Sequence, residues 1–300
     1  MVKCFATNYI KNPMNKISII CVTRNDEYGA YQDLRTKVFF NGLNQIKNKQ
    51  NYELILVDWN PPNDRLSFYE QYKDLFPKNI DTKIITVPSE VHNNIVGSKL
   101  FKLFEYYGKN VGARHSSGNY LIFTNPDNFF FPELWSHIED NISENIFMRL
   151  CRYDVRLPYV GNIDVDVIDG RSLIENPLHF YSTPSHNLKL PKDYLSLEKG
   201  FYWDVNHEGA SGDFLGVSKS NFQKVNGYVE HYTYGLFDGL ILKDFVKLGL
   251  KQFILPTISI HIDHSREGVV GRMSTQINDT HVKNESWGLL DNDKILVNKL

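Results

Sequence analysis

Apolar residues follow the strand period and the helix period in turn along the first 130 residues. Ile17 to Thr23 is a β-branched apolar run that predicts a buried strand, and apolar residues at helical spacing from Leu34 to Ile46 predict a helix. A second strand is predicted at Glu53 to Asp58. The alternation continues in a helix at Leu66 to Leu75, a strand at Lys83 to Val87, a helix from Leu100 into the Asn110 region and a strand at Tyr120 to Thr124. This order predicts an α/β fold with a doubly wound, mainly parallel sheet and helices on both faces.

The pattern becomes less regular after Phe131. A polar, proline-punctuated stretch from Leu157 to Leu197 has a length that is typical of a lid or a binding loop. The regular elements predicted in this half are a helix at Glu133 to Asp140, a strand at Ile146 to Tyr153, helices at Lys219 to Val225 and Leu240 to Leu248, and a strand at Gln252 to His261. We expect a single domain over residues 1–270, with halves at 16–130 and 131–270, and a polar C-terminal tail at 271–300.

Composition and charge exclude several classes of protein. The three cysteines, Cys4, Cys21 and Cys151, are too few and too scattered for a disulfide framework or a cysteine-based zinc site, which predicts buried free thiols in a reducing compartment. The balance of 33 basic and 35 acidic residues offers no broad field for nucleic acid. No stretch reaches the ~18 apolar residues of a membrane span, and the first fifteen residues lack a signal-peptide run. We therefore expect a cytoplasmic protein with no nucleic-acid partner and no transmembrane segment.

Polar residues follow the predicted parallel strands at their carboxyl ends, where open α/β sheets bind ligands. Thr23 and Arg24 follow the first strand, and Asp58 ends the second. An aspartate at that position suits hydrogen bonding to a base or a ribose, although aspartate is also common as a helix cap or turn former. Asn125 and Asp127 follow the strand at Tyr120 to Thr124, with one proline between them.

The two segments around that strand carry charges that suit a diphosphate. Lys109 and Arg114 precede it and could steady a diphosphate leaving group, with a solvated helix end as the competing interpretation. The turn at Asn125 and Asp127 has the spacing of a DxD-like motif with Asn in place of the first Asp. Such a turn can hold a hard divalent cation while leaving positions open for two phosphate oxygens.

Six phrases occur in a fixed order between about residues 16 and 268. They are VTRN, LVDWNPP, KNVGARHSSGNYLIFTNPD, GASGDFLGVSKSNFQKVNGY, FDG and IHIDH. Together they resemble GT-A glycosyltransferases related to glycosyltransferase family 2 and the galactosyltransferase C-terminal group. The resemblance implies a GT-A fold, a nucleotide diphosphate sugar donor, expected to be a UDP-sugar, and a Mn2+ or Mg2+ cofactor. It assigns the donor to the 16–130 half and catalysis to the 131–270 half. The acceptor class stays open between a glycan, a lipid-linked molecule and a protein.

The resemblance also implies roles for individual residues. Asp127 matches the metal ligand, and the departure from the motif at Asn125 weakens the case for direct metal contact there. Asp238 in YGLFDGLILKDF matches the catalytic base, with Asp213 as its rival. The residues expected at the nucleotide sugar are Thr23, Arg24, Asp58, Lys109, Asn110, Arg114, Asn125 and Gly212.

Two histidines, His261 and His264, flank Asp263 at the end of the last predicted strand. The resemblance implies a late histidine as a further metal ligand, and His264 is preferred because His261 still falls within the strand. A structural histidine is the competing interpretation. Imidazole and carboxylate together suit Mn2+ somewhat better than Mg2+.

These features predict a metal-dependent, inverting sugar transfer. Negative charge grows on the diphosphate as its bond to the sugar breaks, and bound cations stabilise that charge. One alternative is a nucleotidyltransferase, but such enzymes usually carry a glycine-rich and basic loop directly after the first strand. Residues 24–30 contain only Gly29 and Arg24 of those types. The other alternative is a catalytically weak GT-A-like protein that binds a nucleotide sugar or a glycan, and Asn125 in the metal motif keeps it open.

Overall fold

The structure is a computed structural model that describes residues 16–156, 199–203, 212–231, 237–264, 283 and 285–300. The strands in this part of the chain are β1 (Ile17–Thr23), β2 (Tyr52–Trp59), β3 (Asp81–Val87), β4 (Tyr120–Thr124), β5 (Asn128–Phe130), β6 (Ile146–Arg156), β7 (Phe201–Tyr202), β8 (Phe214–Ser218), β9 (Lys251–Asp263) and β10 (Leu296–Lys299). The helices are α1 (Gln32–Asn44), α2 (Phe68–Tyr72), α3 (Ser89–Asn93), α4 (Glu105–His115), α5 (Pro132–Asn141), α6 (Lys219–Lys224) and α7 (Phe237–Lys247). Short 3-10 helices lie at Lys49–Asn51 and Lys73–Leu75.

One sheet joins the described strands in the order β10-β3-β2-β1-β4-β8-β6-β9-β5, and β7 pairs with β9. The strands of the first half are parallel: β1 pairs with β2 and β4, and β2 pairs with β3. The β6 and β9 strands are also parallel, whereas β8 runs antiparallel to both β4 and β6. Helices flank this sheet, so the predicted mixed α/β architecture with a mainly parallel central sheet is confirmed.

The two faces of the sheet have separate hydrophobic clusters, because successive side chains of a strand point to opposite faces. Ile19 and Cys21 of β1 belong to the cluster that contains Phe39 of α1. Ile20 and Val22 belong to the cluster of the other face, which includes residues of α4 and α7. Burial on both faces explains why β1 is a continuous apolar run rather than an alternating one.

Two glycines let α4 lie directly against β1. A Cβ atom on Gly108 would lie 2.6 Å from a methyl carbon of Val22, and one on Gly112 would lie 2.5 Å from a methyl carbon of Ile20. Both distances are far below van der Waals contact. Gly108 and Gly112 therefore have a packing role in α4. This helix begins at Glu105, later than the predicted start at Leu100, and continues beyond the Asn110 region to His115.

Several elements had no clear signal in the sequence pattern. The α3 helix and the β5, β7 and β8 strands were not predicted, and the predicted polar tail contains β10, which pairs antiparallel with β3. Trp287 of the tail is buried against Phe222, with ring centroids 5.5 Å apart. The predicted irregular stretch from Leu157 to Leu197 lies outside the described residues.

The predictions on cysteines and membrane spans can be compared with the structure over the described residues. Cys21 and Cys151 are buried, as expected, and Cys4 lies outside the described residues. Among the helices that the structure describes, none has the length and apolar character needed to cross a membrane.

Candidate metal and nucleotide site

Strand pairing brings Asp127 and His261 together. Asp127 directly precedes β5, which runs antiparallel to β9 with Asn128 opposite His261. The backbone N–H of Ile262 donates a hydrogen bond to the carbonyl of Asp127 at 3.0 Å. His264 follows directly after β9. Strand pairing thus holds Asp127 at one edge of the sheet beside two histidines that lie 134 and 137 positions later in the sequence.

The side chains of Asp127, His261 and His264 form a compact cluster. The Asp127 Oδ2 atom lies 3.1 Å from His264 Nε2 and 3.6 Å from His261 Nε2. One ligand atom from each residue lies within 4.8 Å of the other two. Asp127 and His261 are buried, with 7% and 4% of their surface exposed. One carboxylate oxygen and two imidazole nitrogens at this spacing fit a single divalent transition-metal ion.

The electrostatics of the cluster favour a cation. Burial raises the pKa of Asp127, but the charges of His261 and His264 and the hydrogen bond with His264 outweigh burial, so the pKa lies well below its usual range. Burial lowers the pKa of His261, but the neighbouring carboxylates Asp127 and Asp154 raise it to about 10. The ring nitrogens therefore lie in a strongly negative potential. Arg35 is a cation nearby, with a guanidinium nitrogen 3.8 Å from Asp127 Oδ2.

Asn125 of the DxD-like turn contacts Asp213. The β4 and β8 strands are antiparallel with Thr124 opposite Phe214, so the residues just beyond that pair are neighbours. The Asn125 side-chain amide donates to Asp213 Oδ1 at 3.2 Å. The Asn128 amide donates to the same oxygen at 3.4 Å and to Asp127 Oδ1 at 3.3 Å. Asparagine at position 125 thus links the turn to Asp213.

Two further residues, Arg152 and Asp154, contact the candidate site and were not predicted from the sequence. Asp154 lies opposite His261 in the β6–β9 register, and its Oδ1 atom is 2.8 Å from His261 Nδ1. Arg152 donates to Asp213 Oδ2 at 2.6 Å and forms an ion pair with Asp154 at 3.0 Å. The signal for them was available, because both lie at the carboxyl end of a predicted strand.

The proposed base, Asp238, lies in the first turn of α7 and is held by backbone amides. The N–H of Gly212 donates to Asp238 Oδ2, and the N–H of Gly239 donates to Oδ1, both at 3.0 Å. Lys109 is completely buried and donates to the carbonyl of Gly212 at 2.6 Å and to Glu105 at 2.5 Å. Lys109 therefore contacts the same peptide segment that contacts Asp238.

The residues expected at the nucleotide lie around the ends of β1 and β2. Thr23 is paired in register with Asp58, which is 1% exposed. Asp58 Oδ2 accepts a hydrogen bond from the N–H of Phe68 at 3.2 Å, whereas the buried Oδ1 has no hydrogen-bond partner in the part of the chain that the structure describes. Burial raises the pKa of Asp58 to about 6. Arg24 donates to the carbonyl of Asn60 at 2.7 Å.

Asn110 and Arg114 make contacts elsewhere in the chain. The Asn110 amide donates to the Tyr228 carbonyl and to Glu230, both at 2.9 Å. The Arg114 guanidinium stacks 3.8 Å from the Trp287 ring centroid and donates to its carbonyl at 2.8 Å. Their contribution to nucleotide binding stays a prediction, as does that of Lys109.

Comparison with known proteins gives a match at the level of structure. No protein-family model and no curated protein sequence matches the chain. S. aureus TarS 1-349 is similar with a TM-score of 0.50 and 12% identity, over 82% of this chain and 60% of TarS. TarS 1-349 in complex with UDP-GlcNAc is similar with a TM-score of 0.50 and 14% identity, over 85% of this chain and 60% of that one.

A third solved structure is the mannosyltransferase PcManGT from Pyrobaculum calidifontis in complex with GDP-Man and Mn2+. It is similar with a TM-score of 0.51 and 12% identity, over 88% of this chain and 62% of that one. The match thus spans about three fifths of the length of each of these proteins. Identities this low establish the fold alone. The chain has the GT-A type glycosyltransferase fold.

Proposed function

We propose that this protein is a metal-dependent glycosyltransferase that moves a sugar from a nucleotide diphosphate sugar to an acceptor hydroxyl. The observation that carries the proposal is the cluster of Asp127, His261 and His264 at the carboxyl ends of the parallel strands of a mixed sheet of GT-A type. One similar structure is a complex with UDP-GlcNAc and another is a complex with GDP-Man and Mn2+, which supports this ligand class. UDP is the expected nucleotide, and a glycan, a lipid-linked molecule or a protein is the expected acceptor.

Asp127, His261 and His264 are the residues that would hold the divalent ion. Two imidazoles and one carboxylate favour Mn2+ over Mg2+, because Mg2+ prefers an all-oxygen shell. The ion would supply positive charge beside the diphosphate as it leaves the sugar. The buried Oδ1 of Asn128 also has no hydrogen-bond partner among the described residues, and it belongs to the residue that follows Asp127. An unpaired buried acceptor beside the cluster is consistent with a site built for a ligand.

Asp58 is proposed to bind the nucleoside. A buried carboxylate oxygen without a hydrogen-bond donor is energetically costly, and a donor from a ligand would remove that cost. With a pKa of about 6, Asp58 is mainly ionised at neutral pH and can accept a hydrogen bond from a base N–H or a ribose hydroxyl. Thr23 and Arg24 lie beside it and complete the proposed nucleotide-binding edge.

Asp238 is proposed as the catalytic base in preference to Asp213. Both oxygens of Asp213 accept hydrogen bonds, from Asn125 and Asn128 on one side and from Arg152 on the other. To take a proton, Asp213 would have to break an ion pair. Asp238 is oriented by two backbone amides, those of Gly212 and Gly239. A carboxylate so placed can take the proton of the acceptor hydroxyl, with inversion at the anomeric carbon.

A binding protein without transfer activity is the second candidate, because Asn125 replaces an acidic residue and contacts Asp213. A thermal-shift screen of UDP- and GDP-sugars with Mn2+ or EDTA, followed by an assay for released nucleoside diphosphate, separates the two. A ligand at about 100 times its dissociation constant adds ~2.7 kcal/mol of stability. Mn2+-dependent stabilisation with release of the diphosphate supports the transferase. Stabilisation without any turnover on every sugar bound would support the binding protein.

A further inference from the structure

A carboxylate faces the ring nitrogen of His261 that is turned away from Asp127. The Nε2 atom of His261 lies 3.6 Å from Asp127, and its Nδ1 atom lies 2.8 Å from Asp154 Oδ1. The His261 side chain is therefore held between two carboxylates, one at each ring nitrogen. Its ring is 5% exposed, and the Asp154 side chain is 17% exposed. The pair is therefore largely shielded from water. Charge-assisted hydrogen bonds are strongest in such a shielded environment.

Sheet register fixes this contact on both sides. Asp154 on β6 is directly opposite His261 on β9, and Asn128 on β5 is opposite His261 on the other side. Arg152 is two residues before Asp154, so both side chains lie on the same face of β6. The Arg152 guanidinium contacts Asp154 and Asp213 at 3.0 and 2.6 Å. The backbone thus presents Asp154 to His261, and the Arg152 cation steadies the carboxylate.

We propose that Asp154 is a positioning residue of the metal centre: it holds the His261 ring with Nε2 facing Asp127, and Arg152 links the Asp154 carboxylate to Asp213. This inference rests on the proposed metal-binding function of the Asp127, His261 and His264 cluster.

The physical reason is the chemistry of imidazole. A histidine can hold a metal ion with one ring nitrogen only when the other carries the proton, and a hydrogen bond from that second nitrogen selects this tautomer and the ring orientation. Asp154 is placed to accept that hydrogen bond. A negative acceptor also makes the ligating nitrogen more basic. Removal of such a partner commonly weakens metal binding by about 10- to 100-fold.

A competing explanation is that Asp154 serves only to neutralise Arg152. The two roles predict different behaviour when Arg152 is also removed. If neutralisation were the whole role, the double variant Arg152→Met/Asp154→Ala would bind metal as the parent does. If Asp154 positions His261, the double variant remains weak, because the acceptor at Nδ1 is still missing.

The test is the affinity for Mn2+ alone, measured by calorimetry on the full chain without nucleotide. We expect Asp154→Ala to bind Mn2+ about 10- to 100-fold more weakly than the parent, and Asp154→Asn to lose less, since its amide oxygen still accepts a hydrogen bond without carrying charge. Glu53→Gln is the matched control, because Glu53 is a buried carboxylate that contacts Lys83 at 3.1 Å, outside the cluster. Its Mn2+ affinity should equal that of the parent.

The outcomes separate this inference from the proposed function. If Asp154→Ala or the double variant binds Mn2+ with the affinity of the parent, the positioning role is wrong. A loss of Mn2+ affinity in His261→Ala would still support the metal centre. A parent that does not bind Mn2+ overturns both. If Asp154→Ala does not fold, the absorption spectrum of Co2+ bound to Asp154→Asn provides the test, because the ligand field depends on the basicity of His261. A band shifted from that of the parent supports the positioning role. An unchanged spectrum contradicts it.

Discussion

The β2 strand carries a buried carboxylate near each end, and the two differ in how they are satisfied. Glu53, near the amino end, accepts hydrogen bonds from Ser18, Ser117 and Lys83. Burial opposes its charge, but these hydrogen bonds prevail and lower its pKa to about 2. Asp58, at the carboxyl end, accepts one hydrogen bond within the described part of the chain, from the N–H of Phe68, and burial raises its pKa to about 6.

The difference is consistent with the proposal that the amino end of the sheet is structural and that the carboxyl end binds the ligand. The charge of Glu53 is compensated within the protein, so its role is to join β1, β2 and the turn before β4. One Asp58 oxygen accepts no hydrogen bond from the residues that the structure describes, and it lies at the edge where Asp127 and the two histidines also gather. Substitutions at the carboxyl end should therefore reduce binding and turnover, whereas a substitution of Glu53 should reduce stability.

The largest effect is expected for Asp238→Asn. The amide preserves size, and its single oxygen can still accept one of the two hydrogen bonds from Gly212 and Gly239, but it cannot take a proton. Turnover should fall by about 10^2- to 10^4-fold, as for loss of a general base, while nucleotide affinity and melting temperature stay close to parental. Steady-state kinetics and calorimetry check this.

Asp244 on the same helix provides the control, because it pairs with Lys283 at 2.7 Å. Asp244→Asn should retain transfer. An early-melting Asp238→Asn protein with near-parental turnover would show that Asp238 only caps α7, and Asp213 would become the residue to test.

A smaller effect is expected for Asp58→Asn. A hydrogen bond to a charged group contributes about 1.5 to 3 kcal/mol, so nucleotide affinity should fall by about 10- to 100-fold. Stability should not fall, because burial disfavours the charge that is removed more than its surroundings stabilise it. Calorimetry with UDP and Mn2+ measures the change. Asp64→Asn, an exposed site in the loop after β2, should bind as the parent does; equal binding by Asp58→Asn would place the nucleotide elsewhere.

For Glu53→Gln the expected effect is on stability. Loss of the charge-assisted hydrogen bonds should cost about 2 kcal/mol of unfolding free energy, without a change in nucleotide affinity. Denaturant unfolding and UDP calorimetry on the same sample provide both values. A variant of parental stability that binds nucleotide poorly would reverse the assignment of the two ends of β2.

The smallest effects are opposite pH trends in these two variants. Glu53 has a lowered pKa in the folded state, so the stability it contributes is present above about pH 4.5 and is lost as the pH falls towards 2. Asp58 has a raised pKa, so its contribution is present below about pH 4 and is lost as the pH rises through 6. The deficit of Glu53→Gln should shrink in acid, and Asp58→Asn should gain on the parent between pH 4 and 7. Unfolding at several pH values tests this, and parallel trends would contradict it.

The strand-end residues could be predicted from the sequence because each follows an apolar run. Asp58 and Asp127 lie where such runs end, and the parallel order of the strands places those ends at one edge. His261 and His264 follow the same rule. The preference for His264 over His261 as the metal ligand stays a prediction, and ring nitrogens of both histidines lie close to Asp127.

Contacts that depend on distant register could not be predicted in this way. The Asn125 amide meets Asp213 because β8 runs antiparallel to β4, and the sequence gives no indication of that pairing. Lys109 presents a different difficulty. Its spacing from Glu105 is visible in the sequence, but its complete burial depends on which face of α4 packs against β1 and on the position of Gly212.

The most direct test of the account is calorimetry of UDP binding to the parent and to Asp127→Ala, each in Mn2+ and in EDTA. We predict that the parent binds UDP in Mn2+ and binds it much more weakly in EDTA, because the diphosphate would then face the Asp127 carboxylate without a compensating cation. Asp127→Ala should bind weakly in both, while Asp140→Ala, an exposed control, behaves as the parent. Equal UDP affinity with and without Mn2+, or parental binding by Asp127→Ala, would contradict the metal centre on which the account depends.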